Sequence, residues 1–512
     1  MKEHDITYTR NLYKKAKEAR HKHEEEISEA YSYTYPHRDI WRSMESSTDR
    51  TKLYDMTAVD GVQNLVSTIL NLLIPQNQQW AYIDAREEIK KTIAPDVRQI
   101  LDITNKTIFK TLRDGNFYVA VSEALQDCVI AGTGAIALYD PMQENGQIDF
   151  MAIPTSQLYF LTNYKDEVET VFREHEQTQQ YIYERYGYNM PELEEAAKKE
   201  PEKKIKVLEC VHRRTGETEM TYSVHIGKDM HCVEETYTPV NPFVIFRFGK
   251  TLGEVWGESP VRSSLPHIRV ANEVAKLILT QASWAGLGAW QVSSDTTVNY
   301  SNMKLSPGDV VTVDSPLTPI PFAGNFNLTM ATVEDQRESI RRMLYSDTLL
   351  PPAQSNTMTA TEVQARQAEF FRRIGPHGLR LENELLRPLV KTLVTKLQIR
   401  GVVPQFVTDE GTFTYVVNSA VRKGTAMQTI TRDLQLLQMV SQLGPEALMQ
   451  IDIAKLARNI LREGDMSPDV IRDLREVEQM KQQMEQQQQL QGMAQQITDE
   501  QQPTDEQQPP QA

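Results

Sequence analysis

The stretch from Gly257 to Ala360 constrains the fold most, because it reads as two helices joined through a β insert and followed by a polar loop. Ser259 suits a helix N-cap, and Pro260 suits the first helical position, where its missing N–H costs nothing. Val261, Leu265, Ile268, Ala271, Val274, Ile278, Ala282 and Ala285 then recur at steps of three and four, which predicts one helix face running to about residue 287. From about Gln291 to Phe326 the insert is punctuated by Ser306-Pro307-Gly308-Asp309 and by Pro316, Pro319 and Pro321. A second amphipathic helix is expected from about Leu328 to Leu344. Leu350-Pro351-Pro352 cannot continue it, and Thr359-Ala360-Thr361-Glu362 is a capping box that opens a long helix. Nothing in this arrangement is a reactive group. It suits the wall of a passage better than a catalytic cleft.

Composition narrows the choice. A chain of 512 residues has room for two or three domains with a substantial core. Mean hydropathy is −0.49, and Met1-Lys2-Glu3-His4-Asp5 begins a charged helix, so neither a leader nor a membrane segment is expected. The most apolar helical stretch, Val62 to Pro75, is interrupted by Gln63, Asn64, Ser67 and Asn71 and is too short to span a bilayer. Cys128, Cys210 and Cys232 supply no disulfide framework and fit a reducing compartment. The net charge of −15 argues against a surface that grips nucleic acid by neutralising phosphates. It is equally the charge of a merely soluble protein.

Along the chain, residues 1 to about 30 are expected to form a solvated helix, with Lys14, Lys15, Lys17, Arg20 and Lys22 balanced by Glu24, Glu25 and Glu26. Tyr31, Tyr33, Tyr35, Pro36 and Trp41 follow as an aromatic, non-helical connection. Helices are predicted near 49–74, 95–114 and 117–130. Ala131-Gly132-Thr133-Gly134-Ala135 lies between helix and strand and lacks the third glycine of a dinucleotide fingerprint, so it reads as a C-cap and tight turn. Strands follow to about Phe160, then a helix near His175 to Tyr186 and an alternating β-meander from Lys204 to Phe248. Val363 to Ile399 is expected to be helical, kinked or split at Gly375-Pro376-His377-Gly378. A β-prone piece at 406–417 precedes helices near 426–443, 445–456 and from Ser467, and the glutamine-rich end is too polar to bury a core.

Enzymatic motifs fail on inspection. Gly249-Lys250-Thr251 resembles the end of a Walker A loop, but Val244 stands where that motif needs its first glycine, at the start of a strand-like run. Cys210, His212, His231 and Cys232 are residue types that zinc accepts, yet they sit in alternating strands without structural-site spacing. No pair of carboxylates is singled out for acid–base work. The chain is not expected to be an enzyme, and no cofactor or metal is expected.

Four segments stand in order: Asp55-Met56-Thr57-Ala58-Val59-Asp60-Gly61, Ala131-Gly132-Thr133-Gly134-Ala135, Gly253-Glu254-Val255-Trp256-Gly257-Glu258-Ser259-Pro260 and Thr359-Ala360-Thr361-Glu362-Val363. With the helix–β–helix stretch, they resemble the portal proteins, or head-to-tail connectors, of tailed bacteriophages, most closely those of short-tailed phages. The resemblance covers most of the chain. It implies an α+β, mainly helical fold with wing, stem, clip and crown regions, assembling as a closed ring, a dodecamer in that family. The implied divisions are a wing region at 1–258, a first stem helix at 259–287, a clip at 288–327, a second stem helix at 328–346 and a tunnel loop at 347–358. A long wing helix with a short β piece at 359–424, crown helices at 425–478 and a disordered tail at 479–512 complete it.

The resemblance further implies a virion protein at one capsid vertex, through which double-stranded DNA is packaged and ejected. Its partners would be copies of itself, the terminase large subunit, the major capsid and scaffolding proteins, and tail adaptor and internal core proteins. Twelve copies would carry about −180 in charge, so that DNA would slide along a like-charged wall. Gln354, Ser355, Asn356 and Thr357 would project into the channel, being polar and unable to hold phosphate in an ion pair. Glu334 with Arg337, and Glu338 with Arg341 and Arg342, would pair either within the second stem helix or between subunits. The alternatives are another phage assembly protein, such as an adaptor or scaffold, or a packaging ATPase or nuclease.

Overall fold

A computed structural model of the chain describes residues 3–36, 53–76, 78–86, 95–139, 147–187, 191–213, 219–227, 230–287, 290–291, 318–319, 326–347, 360–404, 413–417, 420–442, 456–457 and 460. It divides into two units, Met1–Val421 and Arg422–Ala512. The first begins with α1 (Glu3–His21) and α2 (Glu24–Thr34). A turn at residues 22–23 breaks the single helix expected there, and His23 precedes α2 without a side-chain cap. Two of the tyrosines expected in a loop, Tyr31 and Tyr33, are helical, and Tyr35 is the C-cap: Tyr31 is buried in α2 with Ile27 and Ala30 and donates its hydroxyl to Asp127 at 2.7 Å. α2 is therefore a core helix rather than a solvated one, because its apolar side chains fall three and four apart once counting starts at Glu24.

α3 (Thr57–Leu73) starts eight residues later than expected and buries Val62, Leu65, Val66, Ile69 and Leu73 on one stripe. β1 (Ala81–Ala85), α4 (Pro95–Asp114) and α5 (Phe117–Ala131) follow. Gly132 then ends α5 in the left-handed conformation, φ +89°, as the C-cap reading requires. β2 (Thr133–Tyr139) begins at once and pairs on one side with β3 (Asp149–Ala152).

A second sheet of five antiparallel strands is built from β4 (Leu158–Thr162), β5 (Val168–Thr178) and, after α6 (Gln179–Tyr186) and α7 (Pro191–Lys199), β6 (Lys204–Arg213), β7 (Met220–Ile226) and β8 (His231–Thr238). The helix expected from His175 begins only at Gln179. His175 to Thr178 extend β5 instead, because β6 offers them a ladder down to Lys204. The expected meander is also shorter by one strand. β9 (Phe243–Arg247) leaves it to pair with β2, and all five of its side chains are buried. Tyr139, Arg173 and Glu209 join the two sheets. Tyr139 donates to Glu209 at 2.8 Å and Arg173 donates to Glu209 at 3.1 Å, with Arg173 and Glu209 both buried.

α8 (Pro260–Leu287) and α9 (Phe326–Met343) form the expected helical pair, and α9 starts two residues early. Between them β10 (Trp290–Gln291) pairs with β11 (Thr318–Pro319), and the rest of that insert lies outside the described residues. α10 (Ala360–Leu381) stays helical through Pro376, so the chain is not split at Gly375–Gly378. The irregularity comes later, as a π-helical turn at Glu382–Leu386 leading into α11 (Arg387–Ile399). Pro388, in the first turn of α11, has no N–H to give to the carbonyl four residues back, and Arg387 N–H bonds to Glu382 five residues back. β12 (Phe413–Val417) returns to pair with β1, and α12 (Ala420–Gln442) follows. No helix among the described residues is long and apolar enough to cross a membrane.

Candidate functional site: the α8–α9 pair and its root

Ser259 does at the root of α8 what its position promises. Its hydroxyl accepts from the N–H groups of Val261 at 3.0 Å and Arg262 at 3.1 Å, satisfying donors that the helix start leaves free. The same oxygen lies 2.7 Å from Val129 O and 2.8 Å from Ile130 O, so it also fastens α8 to the end of α5. Two residues earlier the backbones almost touch. A Cβ on Gly257 would stand 2.0 Å from Gly132 O, and one on Gly132 would stand 2.3 Å from Gly257 O. Gly257 N–H donates to Thr133 Oγ1 at 3.0 Å, and Phe248 N–H donates to Gly132 O at 3.0 Å. Two of the motifs read from the sequence, far apart in the chain, thus make one joint.

The Asp55–Gly61 segment holds the other side of the pair. Asn272 of α8 accepts from Tyr54 N–H at 2.7 Å, and Asp55 takes Arg337 of α9 at 2.7 Å. Gly61 of α3 faces Leu344, whose Cδ1 would be 2.6 Å from an added Cβ. Within the pair, Val261, Leu265, Ile268, Ala271 and Ala275 of α8 are buried, with Val333 and Ile340 of α9. His267 and Gln336 meet at 2.8 Å across them.

Burial alone would raise the Asp55 carboxyl. Hydrogen bonds from Thr57 and from the Arg337 guanidinium outweigh it and hold the group below the ordinary carboxylate value. A carboxylate depressed in the folded state stabilises fully above its unfolded pKa, about 3.9, and loses that contribution as pH falls through the folded value. Asp55→Asn is therefore expected to cost about 1–2 kcal/mol at neutral pH. Urea unfolding across a pH series should show the difference from the unsubstituted chain shrinking below about pH 4. A pH-independent difference would detach Asp55 from this role.

Glu334, Arg337, Glu338, Arg341 and Arg342 all lie on α9. Glu334 takes Arg341 at 2.9 Å and Arg337 at 3.5 Å, and Glu338 takes Arg342 at 3.0 Å. Arg341 thus turns to Glu334 rather than Glu338. The Glu338–Arg342 pair is largely exposed on both sides and contributes about 0–1 kcal/mol. Gln354, Ser355, Asn356 and Thr357 lie outside the described residues. Where the chain leaves α9, Tyr345 takes a positive φ of 58°, and Arg373 of α10 pairs with Asp347 at 3.0 Å and lies over the Tyr345 ring. His377 stacks on Phe248 at 4.4 Å. Together they line a cleft of about 480 Å³ between the root of α8, the end of α9 and α10.

Other candidates resolve as structure. Gly249 bridges to Glu258 just after strand β9, and Lys250 pairs with Asp166. Burial pushes the Cys210 thiol far up, and no group of three metal-ligating side chains is brought together among the described residues. Sequence reading missed Asn272 and Asp55 as the clamp on the helix pair. The signal available was the Asp55–Gly61 motif itself, a polar N-terminal turn followed by a glycine inside an apolar helix.

The α8–α9 pair is thus rooted in a mixed α/β body, with one apolar row turned inward. The family model for the bacteriophage head to tail connecting protein matches residues 7–472, and the chain belongs to that family, the phage portal proteins. It is 20% identical to the portal protein of Salmonella phage epsilon15, over 85% of this chain and 82% of that one. With the portal protein of Escherichia phage T7 it shares 23% identity over 77% of this chain and 75% of the relative. With that of Enterobacteria phage T3 it shares 24% over 73% and 71%.

Proposed function

We infer that copies of this chain close into a ring, twelve in number as in the portals it resembles, and that the ring is the channel through which double-stranded DNA enters and leaves the capsid. One observation carries the reading. Val270 and Leu277 stand seven residues apart on α8, opposite its buried row, and are 43% and 52% exposed. Apolar side chains left open on a helix already packed along its other face suit a neighbouring copy's helix, and a head-to-tail contact of that kind closes a ring. On this reading α8 and α9 are the stem, residues 288–327 the clip, 347–358 the tunnel loop, and the helices after 425 the crown. The remainder of 1–258 and 359–424 forms the wing, with the tail at 479–512 beyond the crown.

The ring would sit at one vertex of the virion, having assembled in the host cytoplasm. The clip would meet the terminase large subunit during packaging and tail adaptor proteins afterwards. Capsid, scaffolding and internal core proteins would contact the wing and crown. The work would be passive: the motor supplies the energy, and this protein supplies the passage.

Negative-stain electron microscopy of the purified protein tests the ring. Closed rings of about a dozen subunits with a central hole are expected, whereas monomers or solid particles at several salt concentrations would overturn the reading. A second test addresses the loop. Inserting a bulky charged pair between Ser355 and Asn356 should leave assembly intact and impair packaging or DNA retention. Full packaging and stable filled heads in that variant would remove the loop from the channel.

A further inference from the structure

Of the acids that follow the basic first helix, Glu24, Glu26 and Glu29 take arginine or histidine and none of the helix's lysines. Glu24 is taken by Arg20 at 3.0 Å and by His21 at 2.8 Å. Glu26 goes to Arg262 of α8, and Glu29 goes to Arg269 of the same helix. Lys14, Lys15, Lys17 and Lys22 are exposed and make no ion pair among the described residues. Surface lysines on α7, on β6 and in the turn between them behave differently. Lys198 pairs with Glu194 at 2.6 Å, Lys206 with Glu174 at 2.7 Å, and Lys203 with Glu200.

α1 is held so that its lysines face outward. Tyr13 packs edge-on against Tyr159 and Phe172, Arg20 lies 3.8 Å over the Tyr159 ring, and Ala16 is fully buried on the five-stranded sheet. Lys14 and Lys17 therefore lie on one flank of the exposed face, and Lys15, with Lys22 in the turn beyond, lies on the other. Glu18 stands between the flanks and is the one carboxylate from Arg10 to Lys22. A chain of net charge −15 carries here a compact face of opposite sign.

We propose that this face of α1 binds the phosphate backbone of duplex DNA, without regard to sequence, at a site separate from the stem helices. From Lys14 to Lys22 the rise is about 12 Å, a length of duplex axis that carries about seven phosphates, so two flanking rows of lysine find charge enough to meet. The residue type agrees. Lysine is a mobile point charge that neutralises phosphate without the planar fork that arginine offers a base or a carboxylate. An acidic protein partner fits less well, because protein interfaces are depleted of lysine and need a buried apolar or aromatic anchor. Between the two lysine rows this face offers Asn11 and Glu18 instead. The inference does not require the ring.

The full-length protein in its native assembly state, titrated into a labelled mixed-sequence duplex of about 30 bp at about 50 to 200 mM KCl, tests it. Replacing Lys14, Lys15, Lys17 and Lys22 together by alanine should weaken binding at the lowest salt by tenfold or more. The slope of log affinity against log salt should flatten by about 3 to 4, roughly one for each phosphate left without its lysine. Changing the duplex sequence should change neither value. Lys198→Ala with Lys203→Ala should leave both untouched. The two half-variants, Lys14→Ala with Lys17→Ala and Lys15→Ala with Lys22→Ala, should each take about half the slope, which keeps the test open if the fourfold variant folds poorly. Equal affinity and slope in chains with and without the lysines would overturn the proposal. So would a face that binds poly-glutamate but not the duplex, which would identify an acidic protein as its partner.

Discussion

Gly257→Ala is expected to unseat the root of α8 and to lower stability by about 3 kcal/mol or more, read as a fall in Tm and in soluble yield. The added Cβ would lie 2.0 Å from the Gly132 carbonyl oxygen and 3.0 Å from Arg247 Cβ. The first of these is backbone, fixed by its bond from Phe248 N–H, so no flexible side chain can swing away. Gly132→Ala should be at least as damaging, since its φ of +89° is strained for any L side chain as well. Gly375→Ala is the control. It lies inside α10 with nothing within 4 Å of its added Cβ, so alanine should raise stability by up to about 1 kcal/mol. If Gly257→Ala melted with the unsubstituted chain, the close joint between the two glycines would not exist.

Removing Glu384 should be the largest single side-chain loss, about 3–5 kcal/mol by chemical denaturation. Arg247 is 2% exposed, and Glu384 accepts from its backbone N–H at 2.9 Å, its Nε at 3.0 Å and its Nη2 at 2.9 Å. Glu384→Ala strands that guanidinium inside the protein, where an unpaired charge is costly. Arg247→Lys should recover little, because an ammonium cannot reproduce the fork. Replacing both partners by apolar residues of similar size should restore much of the loss. A double-mutant cycle with coupling near zero would show that the two residues act independently.

The sequence revealed what is local. Ser259 and Pro260 announce a helix start through their own chemistry, Gly132 announces a helix end, and the three-and-four spacing of α8 needs no partner to be read. What it hid depends on contact. Nothing in the segment around Gly132 says that Gly257 lies against it, since closeness between distant backbones leaves only two glycines as its trace. β9 reads as one more strand at the end of the meander, and nothing in its continuous apolar run, Phe243 to Phe246, names β2 as its neighbour. Pro376 looked like a break because a proline in a helix usually is one, yet the π turn before Pro388 takes the irregularity instead. Of the site, the helix pair was legible, while the Asp55–Asn272–Arg337 clamp was not. A lone aspartate before a helix has many more ordinary uses than holding two others in place.

The pairing of β1 with β12 has a consequence in time. Ala81 to Ala85 find their partners in Phe413 to Val417, at the far end of the first unit. During synthesis at about 5–20 residues per second, β1 would wait roughly 15 to 70 s for that strand to be made. Throughout that interval it is an open edge, able to pair with another nascent chain as readily as with its own. This two-stranded ladder can close only after nearly all of the first unit has been made. Any chain cut short before residue 413 would keep the edge open for good.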